Sequence, residues 1–409
     1  MLSLKGTDIM VTPRQKELVK ATVPVLREHG VALISHFYKR MLHGNPELKN
    51  IFNQAHQAEG HQQRALASAV LAYAENIDDL SPLLPAVRHI AIKHCTIGIR
   101  AEQYGIVGRH LLASIKEVLG EAATDELVDA WAAAYGSLAK VLIDAENAIY
   151  EEQAMTDGGW SGWRPFVVDR RVQESADVTS FYLRPADGGA LPVCKPGQFV
   201  SVRTFLSQAG LAQPRQYTVS SVAHEGCLRI SVKRVPATAA APAGMMSNHL
   251  HDSLQVGDSI DVSAPLGDFT LAEGSGPVVL MAAGIGITPM LAMLGSIVKN
   301  TPERSVDFFM VCQDCAHFPL KAEVEQAMAS LKNGRLHLFY TRAKGEETSQ
   351  CRAVRRLMSA DLESLPVDAD WYICGPVSFM HQQIEALKTR GIAAERIHYE
   401  IFGTGSMSQ

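Results

Sequence analysis

The stretch RHIAIKHC, residues 88–95, places two histidines and a lysine in a segment of helical period. Val87, Ile90, Ala91, His94 and Ile97 recur at steps of three and four, so they share one apolar stripe. This spacing predicts that His94 points into a core and that His89, well round the helix, lies at the surface. A lone histidine on an apolar face is most often a packed core residue. It becomes a ligand candidate only if neighbouring segments supply the rest of a pocket.

Working outward, residues 1–150 read as helical throughout. Thr12-Pro13-Arg14-Gln15 opens the first helix with a capping threonine, a proline suited to the first turn and a glutamine able to reach back. The residues before it read as an unstructured extension. Later helices are predicted to follow Gly30, Pro46, Gly60, Pro82, Ala101 and Thr124, in amphipathic runs such as YGIVGRHLLASIKEVLG and ELVDAWAAAYGSLAKVLIDAENAIY. Gly158, Gly159 and Gly162 punctuate a linker at 151–163. Short strands with even spacing follow over 164–272, as in a small antiparallel β-barrel. Over 273–409 strands alternate with helices (PVVLMAA, SVDFFMVC, RLHLFYT, DWYICG, RIHYEIF), the pattern of an α/β domain with a parallel sheet.

Composition narrows the class. Hydrophobic residues make up 47% and charged residues 20% of the 409, and the net charge of −5 comes without basic blocks, which argues against nucleic-acid binding. The N-terminal residues are too charged for a secretory signal. Residues 274–298 carry no charge, but Gly284, Gly286 and Pro289 interrupt them, so a strand, a tight loop and a helix explain them better than a membrane span. Seven scattered cysteines suit a reducing cytoplasm, and the Cys312-x-x-Cys315 pair reads as small residues near a strand end, not as a zinc site.

Several positions could line a pocket facing His94. Tyr38 (in ISHFYKR) lies on an early helix and Phe52 (in KNIFN) beyond the Pro46 turn. Gln62 shares a stripe with Leu66, Val70 and Tyr73, while His61 is turned about 100° away. Together they resemble the globin fold, with His94 placed 42 residues after Phe52 as the proximal heme-iron ligand. KHCTIGIRAEQYGIVGRHLL, HFYKRM…NPELKNIFN and DAENAIYEE are similar, more closely, to the flavohemoglobins. That resemblance implies that Tyr104 and Glu146 support the proximal histidine and push electron density towards iron, favouring activation of O2 over storage. It also implies that Tyr38 and Gln62 hydrogen-bond the O2, that Phe52 and Leu66 line the heme pocket, and that Lys93 with Glu400 tunes the flavin and heme potentials.

Two further motifs follow in family order. Arg215-Gln216-Tyr217-Thr218 fits the R-x-Y-[S/T] flavin motif of ferredoxin-reductase-like proteins, in which the tyrosine packs on the flavin, the threonine bonds its edge and the arginine pairs with pyrophosphate. Gly244-Met245-Met246-Ser247 precedes a helical run whose free N–H groups, with Ser247, suit a pyrophosphate. Gly284-Ile285-Gly286-Ile287-Thr288-Pro289 lacks the third glycine of the Rossmann fingerprint but matches the G-x-G-x-T-P of the same NAD(P) domains, with Thr288 as a possible cap. Cys374-Gly375-Pro376 ends a strand where that family places its cysteine near the nicotinamide. The last segment, Glu400-Ile401-Phe402-Gly403-Thr404, returns to the flavin in flavohemoglobins; Thr404 replaces a usual proline there, and Phe199 a usual flavin-site tyrosine.

The resemblance implies heme b, FAD and NADH or NADPH as cofactors; no arginine cluster follows the second parallel strand, which leans to NADH. It implies a cytoplasmic nitric oxide dioxygenase that oxidises NO with O2 to nitrate, needing neither an integral membrane segment nor an obligate protein partner. Two alternatives stay open: a flavin-dependent ferric or hydroperoxide reductase with an incidental heme, and a heme-based gas sensor.

Overall fold

The structure, a computed structural model, describes residues 11–52, 60–221, 226–239, 241–342, 351 and 353–402. The chain forms two compact units, residues 1–155 with 210–214, and residues 156–209 with 215–409.

The first unit is helical: α1 (Pro13–Ala21), α2 (Val23–Gly44), α3 (His61–Glu75), α4 (Leu84–Ile97), α5 (Ala101–Leu119) and α6 (Asp125–Met155), with a short 3-10 turn at Pro46–Asn50. The predicted cap of α1 is in place: the Gln15 N–H donates to Thr12 Oγ1 at 3.3 Å, and the Thr12 N–H donates to Gln15 Oε1 at 2.9 Å. One predicted boundary fails. Gly30 does not precede a helix; it sits inside α2, buried against Ala67 of α3. A Cβ there would meet Ala67 at an ordinary 3.7 Å, so it is the burial of the helix and not a need for glycine that keeps this position helical against its low propensity. Phe37, Tyr38, Met41, Tyr73, Leu111 and Trp131 are buried in the unit's main core.

The second unit begins with strands β1 (Trp163–Gln173), β2 (Val178–Pro185), β3 (Phe199–Leu206), β4 (Leu211–Thr218, of which 215–218 belong to this unit), β5 (Leu228–Lys233) and β6 (Ser259–Ser263). They form an antiparallel sheet of order β4-β3-β6-β1-β2-β5. A bridge between Val219 and Ile230 joins the chain just past β4 to β5, so the two edges curl together. Phe166, Phe181, Val200, Val202, Ile230 and Val262 fill the interior, and helix α7 (Met245–Asp252) adds Met246 and Leu250.

The α/β lobe follows, with parallel strands β7 (Val278–Ala283), β8 (Val306–Cys312), β9 (Gly334–Tyr340), β10 (Ala353–Val354), β11 (Asp370–Cys374) and β12 (Ile397–Glu400) in the order β10-β9-β8-β7-β11-β12. Helices α8 (Ile287–Asn300), α9 (Lys321–Ala329) and α10 (Val377–Thr389) connect them. Both faces are covered, so β7 is apolar at every residue: Val278, Leu280 and Ala282 enter one core, and Val279, Met281 and Ala283 the other. The two-residue β10 has no counterpart in the sequence reading, being too short to show a period. The uncharged segment 274–298 is a strand, a loop and a helix, and among the described residues no helix is long and apolar enough to cross a membrane.

Candidate functional site

In the helical unit, α4, α5 and α6 each contribute one side chain to a single network. His94 Nδ1 lies 2.7 Å from Glu146 Oε1 and 3.1 Å from the Tyr104 hydroxyl, which itself donates to Glu146 Oε1 at 2.5 Å. Tyr104 has one proton, and it goes to the carboxylate. The Nδ1 of His94 therefore carries a proton and donates it to Glu146, leaving the Nε2 lone pair available. Among the described residues nothing bonds that Nε2. Glu146 is 2% exposed, so this carboxylate is held entirely by its donors. Burial first, then the hydrogen bond and charge of Glu146, push the Tyr104 hydroxyl far above the ordinary tyrosine range. It is fixed as a donor.

The helices around the network are pinned in turn. The Tyr135 hydroxyl donates to the Tyr104 carbonyl at 2.7 Å, and a Cβ on Gly108 would stand 2.6 Å from the Tyr135 ring, so only glycine lets α5 and α6 approach this closely. The Tyr150 hydroxyl donates to the Ile99 carbonyl at 2.7 Å, and the Arg100 guanidinium covers its ring at 4.1 Å.

The stripe predicted on α4 needs correcting. Its most buried residues are Ala91, Ile92, Cys95 and Thr96, whereas Val87, Ile90, Ile97 and His94 are half-buried. The His94 side chain is 31% exposed. The face that carries it is thus an apolar wall with one polar edge and not a dry core. His89 is half-buried and engaged, not a free surface residue.

Tyr38 of α2 is 7% exposed, and its ring meets Phe52 edge-on at 5.7 Å. Its hydroxyl has no hydrogen-bond partner among the described residues, and burial raises its pKa well above the tyrosine norm. Gln62 and Leu66 lie half-buried on one face of α3, with Leu66 against the main core. The side chain of His61 lies outside the described residues.

In the second unit the flavin motif ends β4. Thr218 is buried, Tyr217 packs on the barrel core, and burial lowers the pKa of the neighbouring Arg215. Gln216 is half-buried beside them. Phe199 is 8% exposed, its ring 3.1 Å from where a Cβ on Gly267 would stand. Ser247 lies in the first turn of α7 and donates to the Gly244 carbonyl at 3.1 Å. Met246 is core, as expected for packing, but Met245 is exposed.

The predicted dinucleotide loop and the cysteine turn come together. A Cβ on Gly286 would fall 2.2 Å from the Cys374 carbonyl oxygen, and one on Gly375 would fall 2.8 Å from Ala283. Gly284 has φ +55°, in the left-handed region that favours glycine. Helix α8 starts at Ile287, so Thr288 lies inside its first turn and its hydroxyl donates to the Ile285 carbonyl at 3.1 Å, instead of capping the helix. Pro289 fits the same turn. Cys374 is fully buried, its thiol pushed well above the usual range by burial and then by Glu400, and it donates to the Glu400 carbonyl at 3.5 Å. Pro376 precedes α10. Ile401 packs on the adjoining core and Phe402 is 45% exposed. Gly403 and Thr404 lie outside the described residues. Lys93 and Glu400 fall in different units, each half-buried.

One residue escaped the sequence reading. Lys233, at the end of β5, has its Nζ 3.9 Å from where a Cβ on Gly284 would stand. A single strand lysine gives no signal beyond a solvated charge; only the fold sets it beside the glycine loop.

Three family models match in order: globin over residues 35–142, an oxidoreductase FAD-binding domain over 165–271, and an oxidoreductase NAD-binding domain over 280–384. A flavohemoprotein of Chromobacterium violaceum is 52% identical over 400 residues, covering 97% of this chain and 99% of its own. The crystal structure of flavohemoglobin from Malassezia yamatoensis, with bound FAD and heme, superposes with a TM-score of 0.85 at 30% identity, covering 96% of this chain and 100% of its own. The FAD/NAD-binding domain of nitric oxide dioxygenase from Vibrio cholerae gives 0.53 at 34% identity, covering 59% of this chain and 98% of its own. With half its residues shared along nearly its full length, and with a globin followed by both halves of a flavin oxidoreductase, this chain belongs to the flavohemoprotein family.

Proposed function

We propose that the protein is an NAD(P)H-dependent nitric oxide dioxygenase that removes NO as nitrate and so protects against nitrosative stress. The observation that carries the proposal is the Glu146–His94–Tyr104 network on a chain that also holds its own flavin reductase. Storing a gas needs no electrons, whereas a dioxygenase must be re-reduced after every turnover.

The residues present fit the cofactors of this reading. His94 offers an unshared Nε2 on a half-buried apolar wall, and Tyr38 offers a buried hydroxyl with no partner among the described residues; both suit heme and a small ligand. Gly284 and Gly286 leave bare backbone at the mouth of a helix, which suits a dinucleotide phosphate, and Lys233, paired with Asp177 at 3.3 Å, stands beside it. Arg215, Tyr217 and Thr218 would hold FAD with the first turn of α7. Heme would supply the iron at which NO and O2 combine, and FAD the junction between a two-electron donor and a one-electron acceptor.

The chain's own groups have defined tasks. Glu146 holds the Nδ1 proton of His94 and thereby fixes the ring's tautomer and orientation. Tyr104 shares that carboxylate and keeps it from turning away. Tyr38, protonated at every physiological pH, donates to the oxygen substrate, with Gln62 as its companion. The Cys374 turn sets the floor on which the nicotinamide would rest.

The test is NO loss at an electrode with heme- and FAD-loaded protein and NADH, in air-saturated buffer and again under argon. Catalytic loss that needs both O2 and NADH, with nitrate accumulating, is expected. His94→Ala should abolish it while leaving NADH-driven ferricyanide reduction intact. Loss that stops after one equivalent of heme, or ignores NADH, would return the sensor and ferric or hydroperoxide reductase readings to the front.

A further inference from the structure

Arg229 is a full charge placed in a barrel strand at 1% exposure. Four of its five N–H groups are engaged: Nε donates to Ser220 Oγ at 3.0 Å, Nη2 to the Ser220 carbonyl at 2.7 Å, and Nη1 to the Tyr182 hydroxyl and to the Glu323 carboxylate. Ser220 and Tyr182 bring hydroxyl and carbonyl oxygens and no carboxylate. Glu174 of the barrel feels the same guanidinium, but among the described residues it makes no ion pair with it. The one carboxylate in contact therefore comes from α9 of the α/β lobe. A buried cation whose partner sits on another lobe resists separation strongly, because parting them leaves an unpaired charge out of water.

The pair does not stand alone. In a strand, residues two apart share a face, so Arg229, Ser231 and Lys233 of β5 point the same way. At the far end of that face Lys233 reaches the Gly284 loop. Beside that same end, where the Arg234 N–H donates to the Asp177 carbonyl, the Ala176 N–H of the barrel donates to the Ala316 carbonyl, in the segment leading into α9, at 2.8 Å. One face of one strand thus spans from the start of α9 to the dinucleotide loop.

We propose that the Arg229–Glu323 pair is a latch that sets the α/β lobe against the barrel, so that the Gly284–Pro289 loop presents its dinucleotide squarely to the flavin-binding end of β4. Both are positioning residues that act through the seam. The inference rests on the NAD(P)H-to-FAD step of the proposed function and not on its NO chemistry.

The test uses the FAD-loaded full chain with Glu323→Gln, followed by anaerobic stopped-flow reduction of the flavin by NADH and by amide hydrogen exchange. Glu323 is 41% exposed, and glutamine keeps an amide oxygen that can accept from Arg229 Nη1, so the fold should survive the substitution. Flavin reduction at saturating NADH should slow about tenfold with a smaller change in the NADH concentration needed, as misalignment of reacting groups predicts. The Ala176 amide should exchange faster, while amides within β1 and β7 stay protected. If the unpaired guanidinium lowers FAD content, Arg229→Met removes that charge and is read by the same two measurements. Flavin reduction within twofold of the parent would overturn the latch, and so would slowed reduction with unchanged Ala176 exchange. If the parent itself fails to reduce its flavin with NADH, the proposed function falls and Ala176 exchange alone decides the latch.

Discussion

In the helical unit three side chains from three helices, His94, Tyr104 and Glu146, meet within hydrogen-bond distance. In the α/β lobe the comparable place belongs to backbone, where Gly286 touches the Cys374 carbonyl and Gly375 touches Ala283. One site is assembled from what its side chains donate and accept, the other from the side chains that are missing. The difference follows from the elements. Packed helices keep their backbone polar groups to themselves and can offer only side chains, whereas the carboxyl ends of parallel strands open loops whose N–H groups face outward.

The contrast makes opposite demands on substitution. Gly286→Ala should be the most damaging change, because the new methyl meets main chain that cannot rotate away. We expect a cost of about 3 kcal/mol to the second unit and loss of NADH-driven flavin reduction, with the heme absorption spectrum unaltered. Thermal unfolding with paired flavin and heme spectra measures both; an unperturbed loop would show that backbone contact does not define this site.

Glu146→Gln tests the other half. It keeps the shape and removes the charge that accepts two hydrogen bonds, so about 2 kcal/mol of stability should go from the helical unit. NO turnover should fall about tenfold, since outer partners of a metal-bound histidine are worth that much, while flavin reduction by NADH holds. Equal damage to both half-reactions would mean that the network is general scaffolding.

The smallest effect concerns pH. Burial lowers the pKa of His251, whose Nε2 lies 2.9 Å from the Val232 carbonyl, below its ordinary value. The unfolded chain takes up its proton near pH 6.5 and the folded chain only further down, so the barrel's stability is complete above about pH 6.5 and drains away as pH falls through the interval below it. Urea midpoints between pH 8 and pH 5 should show this decline for the second unit, and His251→Gln should flatten it.

Much of the architecture was legible because periodicity reports burial directly. The apolar run that forms β7 and the capping box at Thr12 are local, and both stand where the sequence pattern put them. Errors arose where a residue's partner lies far along the chain. Gly30 reads as a break until Ala67 of another helix is set against it, and Thr288 reads as a cap until the helix start shifts to Ile287. His94 reads as core because an apolar stripe cannot distinguish a packed face from the wall of a pocket.

By itself the sequence determined the order of three domain types, the motifs that end β4 and follow β7, and the resemblance that singled out Tyr104 and Glu146. Those features are local in the chain, or repeated across a family, and need no coordinates. Only the tertiary structure decided that Tyr104 donates its hydrogen bond to Glu146 and so leaves His94 with Nδ1–H and an Nε2 that nothing bonds among the described residues, that Gly286 must be bare because Cys374 lies against it, and that Lys233 and the Arg229–Glu323 pair line one face of β5. Hydrogen bonds and close packing act over about 3–4 Å between residues separated by tens of positions, and no local pattern in the chain encodes that distance.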